Sequence, residues 1–357
     1  MPAFKDKKGN TWNVQFRYTD WQGDRQQKFK RGFATKREAQ DWERQFLMQK
    51  QADTNMTFAS FVQLYEQDVR PKLKLNTWLT KESVIQSKIM PYFQNRKLCD
   101  ITAKDVIAWQ NEIRKLKDKK GEAYSQTYLK TVHNQLSAIF NHAARFYDLQ
   151  VNPAQRAGNM GSEEHREMLF WTKPEYLQFA EAMMDKPLSY YAFEMLYWCG
   201  IREGELLALT PADFDFSNQT VTINKSYQRL RGEDIITSPK TKKSNRVIQM
   251  PDFLNDEMQD YLKQLYGAES DTRIFPVTKH YLKHEMERGC RATGVKEIRI
   301  HDLRHSHVSL LIDMGFSALA IADRVGHESI DITYRYAHLF PTRQLEMANK
   351  LNVERGL

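Results

Sequence analysis

No stretch of the 357-residue chain approaches the roughly 18 apolar residues needed to cross a bilayer. The longest candidate, YYAFEMLYWCGI (190–201), is short and carries Glu194, which predicts a buried helix and no membrane partner. The opening MPAFKDKKGN contains no apolar h-region, so no secretory leader is expected there. Cysteine is scarce: Cys99, Cys199 and Cys290 are scattered, odd in number and without CxxC spacing. This excludes a disulfide or zinc-ribbon framework and fits a reducing cytosol. Internal repeats and low-complexity tracts are missing as well. Acidic charge does not balance the basic: 53 Lys and Arg against 45 Asp and Glu leave a net +8. An imbalance of this size is a mild pointer to a polyanion, most often a nucleic acid.

Composition, 41% apolar and 27% charged, is that of a soluble globular protein long enough for several cores. Residues 1–50 form the first unit. TWNVQFRY (11–18) places Trp12, Val14, Phe16 and Tyr18 on one face and Asn13, Gln15 and Arg17 on the other, a half-buried strand. DWQGD (20–24) predicts a turn, and RQQKFKRGF (25–33) a second, basic strand. Thr35 with Glu38 predicts a capping box opening a helix that lines up Ala39, Trp42 and Phe46. Such a sheet, presenting Arg17, Arg25, Lys28, Lys30 and Arg31, can lie in a DNA groove. A solvated sheet face accounts for the same cations equally well.

After the polar QKQADTN (49–55), a helical domain is expected over 56–155. Thr57 predicts a cap for a helix with Phe61, Val62 and Tyr65, and Thr102 with Asp105 a second capping box. Residues 125–147 repeat Leu129, Val132, Leu136, Ile139, Ala143 and Phe146 at helical spacing. Between these two helices KLKDKKGEAY reads as a basic loop, with Lys117, Lys119 and Lys120 as candidate phosphate contacts or plain solvated charge. VNPAQRAGNMGSEEHRE (151–167) predicts an interdomain linker, and a third, mixed domain occupies 165–357. There TVTIN (220–224) and SNRVIQMP (244–251) predict strands flanking a turn with Lys240 at its tip. Residues 301–315 and 317–326 predict helices, the second capped by Ser317 and closed by Gly326. The fold class expected is therefore multidomain: a small β-sheet plus helix, an all-α domain, and a mainly-α α+β domain.

The chemistry concentrates in the last domain. Arg202 follows a glycine at a helix entrance; His301 and Arg304 share a helix face; His327 lies just past a helix-ending glycine, where the chain is expected to emerge toward a surface. In TYRYAH (333–338) Tyr334 and Tyr336 are two apart, so on a helix they point about 200° from each other. Periodicity does not choose between them. A tyrosine attacking a phosphodiester needs fixed cations on the non-bridging oxygens, and arginine's planar fork serves. It also needs a base for a phenol of ordinary pKa about 10 and an acid for the leaving 5′ oxygen, which a hairpin lysine can be.

Taken together, GIREGELLAL, PKTKKSNR, HDLRHSHVSLLI and VGHESIDITYRYAH resemble, in order and spacing, the signature of the tyrosine recombinases, closest to integrases of temperate phages and integrative conjugative elements. The resemblance implies that Arg202, Arg304 and His327 bind the scissile phosphate, and that Lys240 protonates the 5′ oxygen. His301 would assist proton transfer, Glu205 would support Arg202, and Tyr336, nine residues beyond His327, would form a 3′-phosphotyrosyl link. Lys242 or Lys243 are the alternatives to Lys240.

The resemblance further implies a homotetramer on double-stranded DNA, exchanging strands through a Holliday junction with no metal and no cofactor. Residues 1–50 would bind arm-type sites and 56–155 core-type sites, within the cytoplasm of a bacterial host. Excisionase and a host DNA-bending protein are the expected accessory partners, and integration and excision of a mobile element the expected outcome. A resolvase-type recombinase acting on dimers or inversions is the alternative; a DNA-binding module leaves the tyrosine unexplained. His301, His305 and His307 invite a zinc reading, but position 302 is Asp, so the HExxH logic fails. Asp213 and Asp215 suit turns and caps better than a metal-dependent nuclease. Past the nucleophile, Thr342 predicts a cap for a short helix with Leu345, Ala348 and Leu351 on one side, a tail that docks in cis or on a neighbour.

Overall fold

The computed structural model describes residues 3–6, 11–19, 25–51, 55–164, 168–239, 242–267, 269–334, 336 and 343–355. The expected turn at 20–24, Lys240, His338, Thr342 and the side chains of Lys242 and Leu345 lie outside the described residues. The chain divides into two compact units, residues 1–165 and 166–357.

The first unit begins with an antiparallel sheet of β1 (Ala3–Lys5), β2 (Trp12–Thr19) and β3 (Arg25–Phe33) in that order, followed by α1 (Lys36–Gln51). Val14, Phe16, Phe33 and Ala39 form its core, with Trp42 and Phe46 packed against it. Glu38 N–H donates to the Thr35 hydroxyl, and the Glu38 carboxylate accepts from Ala34 N–H rather than from Thr35. Asn13, expected on the solvent face, is buried.

The helical part comprises α2 (Phe58–Val69), α3 (Leu75–Val84), α4 (Met90–Phe93), α5 (Ala103–Lys115), α6 (Gln126–Phe146) and α7 (Pro153–Ala157). A π-helical turn, Ile85–Ile89, joins α3 to α4. Thr57, Thr102 with Asp105, and Ser125 cap their helices through side-chain hydrogen bonds. The apolar stripe of α6 is buried except at its end, where Phe146 is 59% exposed. Part of the expected linker instead belongs to this core: Asn152 caps α7, and Ala154 and Met160 are buried. Its composition resembles a linker because caps and tight turns use the same residues.

In the second unit α8 (Lys173–Glu181), α9 (Pro187–Cys199) and α10 (Glu203–Leu206) precede five strands: β4 (Phe214–Asp215), β5 (Thr220–Ile223), β6 (Ser226–Leu230), β7 (Glu233–Thr237) and β8 (Arg246–Gln249). Helices α11 (Asp252–Gln264), α12 (Lys279–Thr293), α13 (Ile300–Asp313), α14 (Ala318–Val325), α15 (Ile330–Tyr334) and α16 (Arg343–Glu354) follow. Strands β4-β5-β8 form one antiparallel sheet, with Val221 opposite Ile248 in its buried centre. β6 and β7 form a separate hairpin closed by Arg231 and Gly232, both at positive φ, the conformation of a type I′ turn. Sequence reading missed this hairpin, which lies between the two strands expected to flank the turn at Lys240; Lys240 itself is outside the described residues. Its strands are poorly patterned because most of their residues are half-covered or exposed: Tyr227 is buried, but Ile236 is 49% exposed.

Candidate active site

Four separated segments meet in the second unit. The first is the corner from α9 into α10. Gly200 ends α9 at φ +60, and a Cβ there would stand 2.4 Å from the buried ring of His307. That close approach and the left-handed backbone both require glycine. Two residues on, Arg202 forms the N-cap of α10, its own N–H bonded to Glu205 Oε2 at 3.0 Å and its Nη1 to Glu205 Oε1 at 2.7 Å. The guanidinium also reaches Ser244 Oγ (3.4 Å) and the Gly326 carbonyl (3.2 Å), and it keeps a 37% exposed side chain.

The second segment is α13, whose N-terminus is held by Asp302. This buried carboxylate accepts from Arg299 N–H (2.9 Å) and from the Arg299 guanidinium at 2.7 and 3.0 Å. Arg304 is 2% exposed. Its Nη1 donates to the Gly200 carbonyl (2.9 Å) and its Nη2 to the Val325 carbonyl. It thereby ties together the corner before Arg202 and the helix end before His327. Burial, reinforced by the charges of Arg202 and Arg246, pulls its pKa down to about 9.

The third segment is the C-terminus of α14. Gly326 closes that helix at positive φ, and a Cβ there would meet the Lys243 carbonyl at 2.9 Å. His327 was expected near a surface but is 6% exposed, because the 242–246 segment and α15 fold over it. Its Nδ1 is bonded to Thr333 Oγ1 at 2.9 Å. Burial, then the charge of Arg304, pulls its pKa down to about 3.

The fourth segment carries the tyrosines. Helix α15 ends at Tyr334 instead of continuing through Tyr336. The chain turns there, with Tyr336 N–H on the Thr333 carbonyl at 3.2 Å. Tyr334 is 58% exposed, whereas Tyr336 is 2% exposed and packs with Val308, Ile321 and Val325. The Tyr336 hydroxyl is hydrogen-bonded to His305 Nδ1. His301 stands edge-on to His305 at 4.9 Å between ring centroids. Although its outer side meets solvent, partial burial and then the charge of Arg304 lower its pKa.

Two residues here escaped sequence reading. His305 was weighed only as a zinc ligand, and Arg246 was not singled out. Arg246 bonds Glu205 Oε2 (2.8 Å), the Arg324 carbonyl (2.9 Å) and the Ser244 carbonyl (3.0 Å). Its position in SNRVIQMP marks a strand end, and only folding brings it to Glu205, 41 residues away in sequence. Lys243, an alternative to Lys240, donates to the Glu328 carbonyl at 3.2 Å.

Glu205 is the anion between Arg202 and Arg246, at 2.7 and 2.8 Å, and is 3% exposed. Burial by itself raises a carboxyl; here the hydrogen bond and charge of Arg246, with Arg202, outweigh it and hold Glu205 below its ordinary range. Glu205→Gln leaves two guanidinium groups facing each other without a counter-ion. We expect the second unit to lose about 3–5 kcal/mol, as on breaking a buried pair from one side. Thermal melting checks this, and adding Arg246→Met should recover much of the loss.

The buried histidines add an acid sensitivity. His305 and His307 have pKa values pulled down to about 4 and about 3 by burial, as His327 does. The unfolded chain takes up those protons near the ordinary pKa of about 6.5. Stability is therefore full above that value and falls as pH drops from about 6.5 toward 4. Melting temperature measured across that window should decline steadily, and less steeply for His307→Gln.

The other candidates lie in the first unit. Arg17, Arg25, Lys28, Lys30 and Arg31 are all exposed, but register divides them. Arg17 pairs with Gln27, on the face away from α1, where Arg31 covers the Phe29 ring at 4.8 Å. Lys28 and Lys30 pair with Phe16 and Val14 and lean over Phe46 and Trp42 on the helix side. Lys117, Lys119 and Lys120 are exposed on a turn pinned by Asp118, which accepts from the N–H groups of Lys120 and Glu122.

A buried arginine cage about an inward tyrosine is the arrangement of DNA strand-transfer enzymes that use a tyrosine, and sequence similarity agrees. Residues 170–343 match the Phage integrase family model, 57–114 the SAM-like N-terminal domain of phage integrases, and 3–50 an arm DNA-binding domain. The chain belongs to the tyrosine recombinases of the phage and conjugative-element integrase type. It is 27% identical over 313 residues to the ICEBs1 integrase of Bacillus subtilis, covering 84% of this chain and 83% of that one. It is 26% identical over 264 residues to a tyrosine recombinase of Pseudothermotoga lettingae, covering 71% and 85%. In fold it is similar to the Tn1549 transposon integrase in complex with a circular intermediate DNA (TM-score 0.66, 21% identity, 79% and 94% covered). It is also similar to a lambda integrase tetramer bound to a Holliday junction (TM-score 0.59, 19% identity, 94% of each chain). Among the described residues no helix is long and apolar enough to cross a membrane.

Proposed function

We propose that this chain is the integrase of a mobile element, a site-specific recombinase that cuts and rejoins double-stranded DNA through a 3′-phosphotyrosyl intermediate. The observation that carries this reading is the convergence of Arg202, Arg304, His327 and Tyr336 from four separate segments through shared carbonyl and side-chain contacts. Arg202 and Arg304 supply fixed cations for the non-bridging oxygens, and His327 a neutral donor beside them. Tyr336 Oη attacks phosphorus, the 3′ strand end becomes a tyrosyl ester, and the 5′ oxygen leaves with a proton, from Lys240 by the family resemblance. The ester conserves the bond energy, so the reverse attack by a new 5′ hydroxyl rejoins the DNA. His301 assists proton transfer, and Glu205 keeps Arg202 in place.

Residues 1–50 serve as the arm-type DNA-binding domain, 56–155 as the core-binding domain and 165–357 as the catalytic domain with its tail. The exposed Arg17, Arg25 and Arg31 face suits arm DNA, with Lys28 and Lys30 at its edge; Lys117, Lys119 and Lys120 suit core-site phosphates. Four copies exchange strands in pairs through a Holliday junction, in the cytoplasm and on the nucleoid, aided by an excisionase and a host DNA-bending protein.

The test is covalent trapping. A nicked suicide duplex made from the DNA flanking the chain's own coding sequence should yield a protein–DNA adduct in the presence of chelator. After digestion the nucleotide should map to the peptide containing Tyr336. An adduct on another residue, or one abolished by chelator, would falsify the reading.

A further inference from the structure

The base in contact with the Tyr336 hydroxyl is His305, not His301, which the family motif puts forward for proton transfer. His301 and His305 are one helical turn apart on α13, and the 4.9 Å edge-on contact between them sets the plane of the His305 ring. The His305 side chain is 13% exposed and Tyr336 is 2% exposed, so the contact between hydroxyl and ring is largely shut off from solvent. The other ring nitrogen, Nε2, faces Asp302 Oδ1 at 3.7 Å. Asp302 is in turn held by Arg299 and by the helix N-terminus. Tyrosine hydroxyl, imidazole and carboxylate therefore lie in sequence.

We propose that His305 is the proton acceptor for the nucleophile: its Nδ1 takes the phenol proton as Tyr336 Oη bonds to the scissile phosphorus. This rests on the reading of Tyr336 as the nucleophile. In the step the O–H bond of Tyr336 and the bond from phosphorus to the 5′ oxygen break, and the bond from Oη to phosphorus forms. The phenol proton goes to His305, and the 5′ oxygen takes one from the acid on the far side. After the step His305 carries the phenol proton and the acid has lost one. Once His305 returns its proton to solvent and the acid regains one, the net change is one proton moved from phenol to 5′ hydroxyl, with water the sole carrier. As His305 becomes cationic, its Nε2–H faces the buried Asp302 carboxylate, which stabilises the charge.

The charged and titratable groups facing His305 are Arg299, His301, Asp302 and Arg304 from α13 and its cap, His327 from beyond α14, and Tyr336. Burial and these cations favour the neutral ring, whose Nδ1, in the tautomer the proposal requires, accepts from the hydroxyl.

The experiment is single-turnover cleavage of the nicked suicide duplex by the full chain. His305→Asn keeps an acceptor oxygen near the Nδ1 position but cannot hold a proton. Cleavage should fall about 10²–10⁴-fold, with DNA affinity within about twofold of wild type. The residual rate should climb about tenfold per pH unit, since phenolate must then form unaided. A duplex with a 5′-bridging sulfur, whose leaving group needs no acid, should not restore it. A wild-type rate and pH profile in His305→Asn, with Tyr336→Phe inactive, overturns the proposal alone. Rescue by the bridging sulfur overturns it too, by making His305 an acid. Adduct formation by Tyr336→Phe overturns the nucleophile reading and the proposal together.

If His305→Asn fails to bind DNA, difluorotyrosine at position 336 of the otherwise native chain decides. An assisted deprotonation leaves the pH profile in place. A profile displaced downward with the phenol's acidity shows unaided ionisation and rejects the base.

Discussion

Tyr336→Phe is expected to bind its DNA site with native affinity and form no covalent adduct, a loss on the order of 10⁴-fold or more in cleavage. One oxygen is removed from a ring that is otherwise packed among Val308, Ile321 and Val325. The ring stays, so the fold stays. The lost hydrogen bond to His305 costs about 1 kcal/mol, which lowers the melting temperature by only about 2–4 °C in a domain of this size. Tyr334→Phe is the internal control. That side chain is 58% exposed, and its cleavage rate should stay within about threefold of wild type. Gel-shift, suicide-substrate and melting measurements on the two variants separate chemistry from packing. Equal losses in both would remove the distinction drawn between them.

The second large effect belongs to Arg304. Arg304→Gln should reduce cleavage by roughly 10³-fold or more, because a charged, preorganised donor is worth more than the 10²–10³ of a neutral one. Stability should respond quite differently. The substitution gives up donors to the Gly200 and Val325 carbonyls, and each orphaned carbonyl costs about 1–3 kcal/mol. It also relieves a buried cation crowded by Arg202 and Arg246, whose pKa is pulled down to about 9. A glutamine amide can keep one of the carbonyls. These terms oppose each other, so the melting temperature should move by no more than about 5 °C while activity collapses. If stability and activity fell in proportion, Arg304 would be a strut and not a phosphate ligand. Inorganic sulfate offers a further reading. An anion in the cage should raise the wild-type melting temperature, and the gain should vanish in Arg304→Gln.

Positive charge is crowded in this site, buried at Arg304 and Arg246 and partly exposed at Arg202. Arg202, Arg246 and Arg304 surround one carboxylate, Glu205. On the proposed reading, an incoming phosphate would relieve this crowding.

Particular residues show how far local patterns reach. Capping pairs, Thr57, Thr102 with Asp105, and Ser317, were legible because each depends on residues three apart. The apolar stripes of β2 and α6 were legible because a half-buried element repeats its pattern within itself. Asn13 and Phe146 broke those stripes because their burial depends on what lies opposite, not on their own strand or helix. The β6–β7 hairpin was missed for the converse reason: apart from Tyr227 its residues are half-covered or exposed, and a half-covered strand carries little alternation. His327 looked like a surface residue because a glycine ends the helix before it. Thr333, just downstream, bonds its ring, and the distant 242–246 segment closes over the helix end before it.

Sequence by itself determined the main helices and capped turns, the basic imbalance and the spacing of Arg202, His301, Arg304, His327 and Tyr336. Such features rest on short-range periodicity and on residue types, which need no neighbour from elsewhere in the chain. Tertiary structure alone decided that α15 stops at Tyr334 and that Tyr336 turns inward to His305 while Tyr334 faces out. It alone brought Arg246 to Glu205. The physical reason is common to these cases. A buried polar group must find partners, and those partners come from strands and helices that only folding brings together.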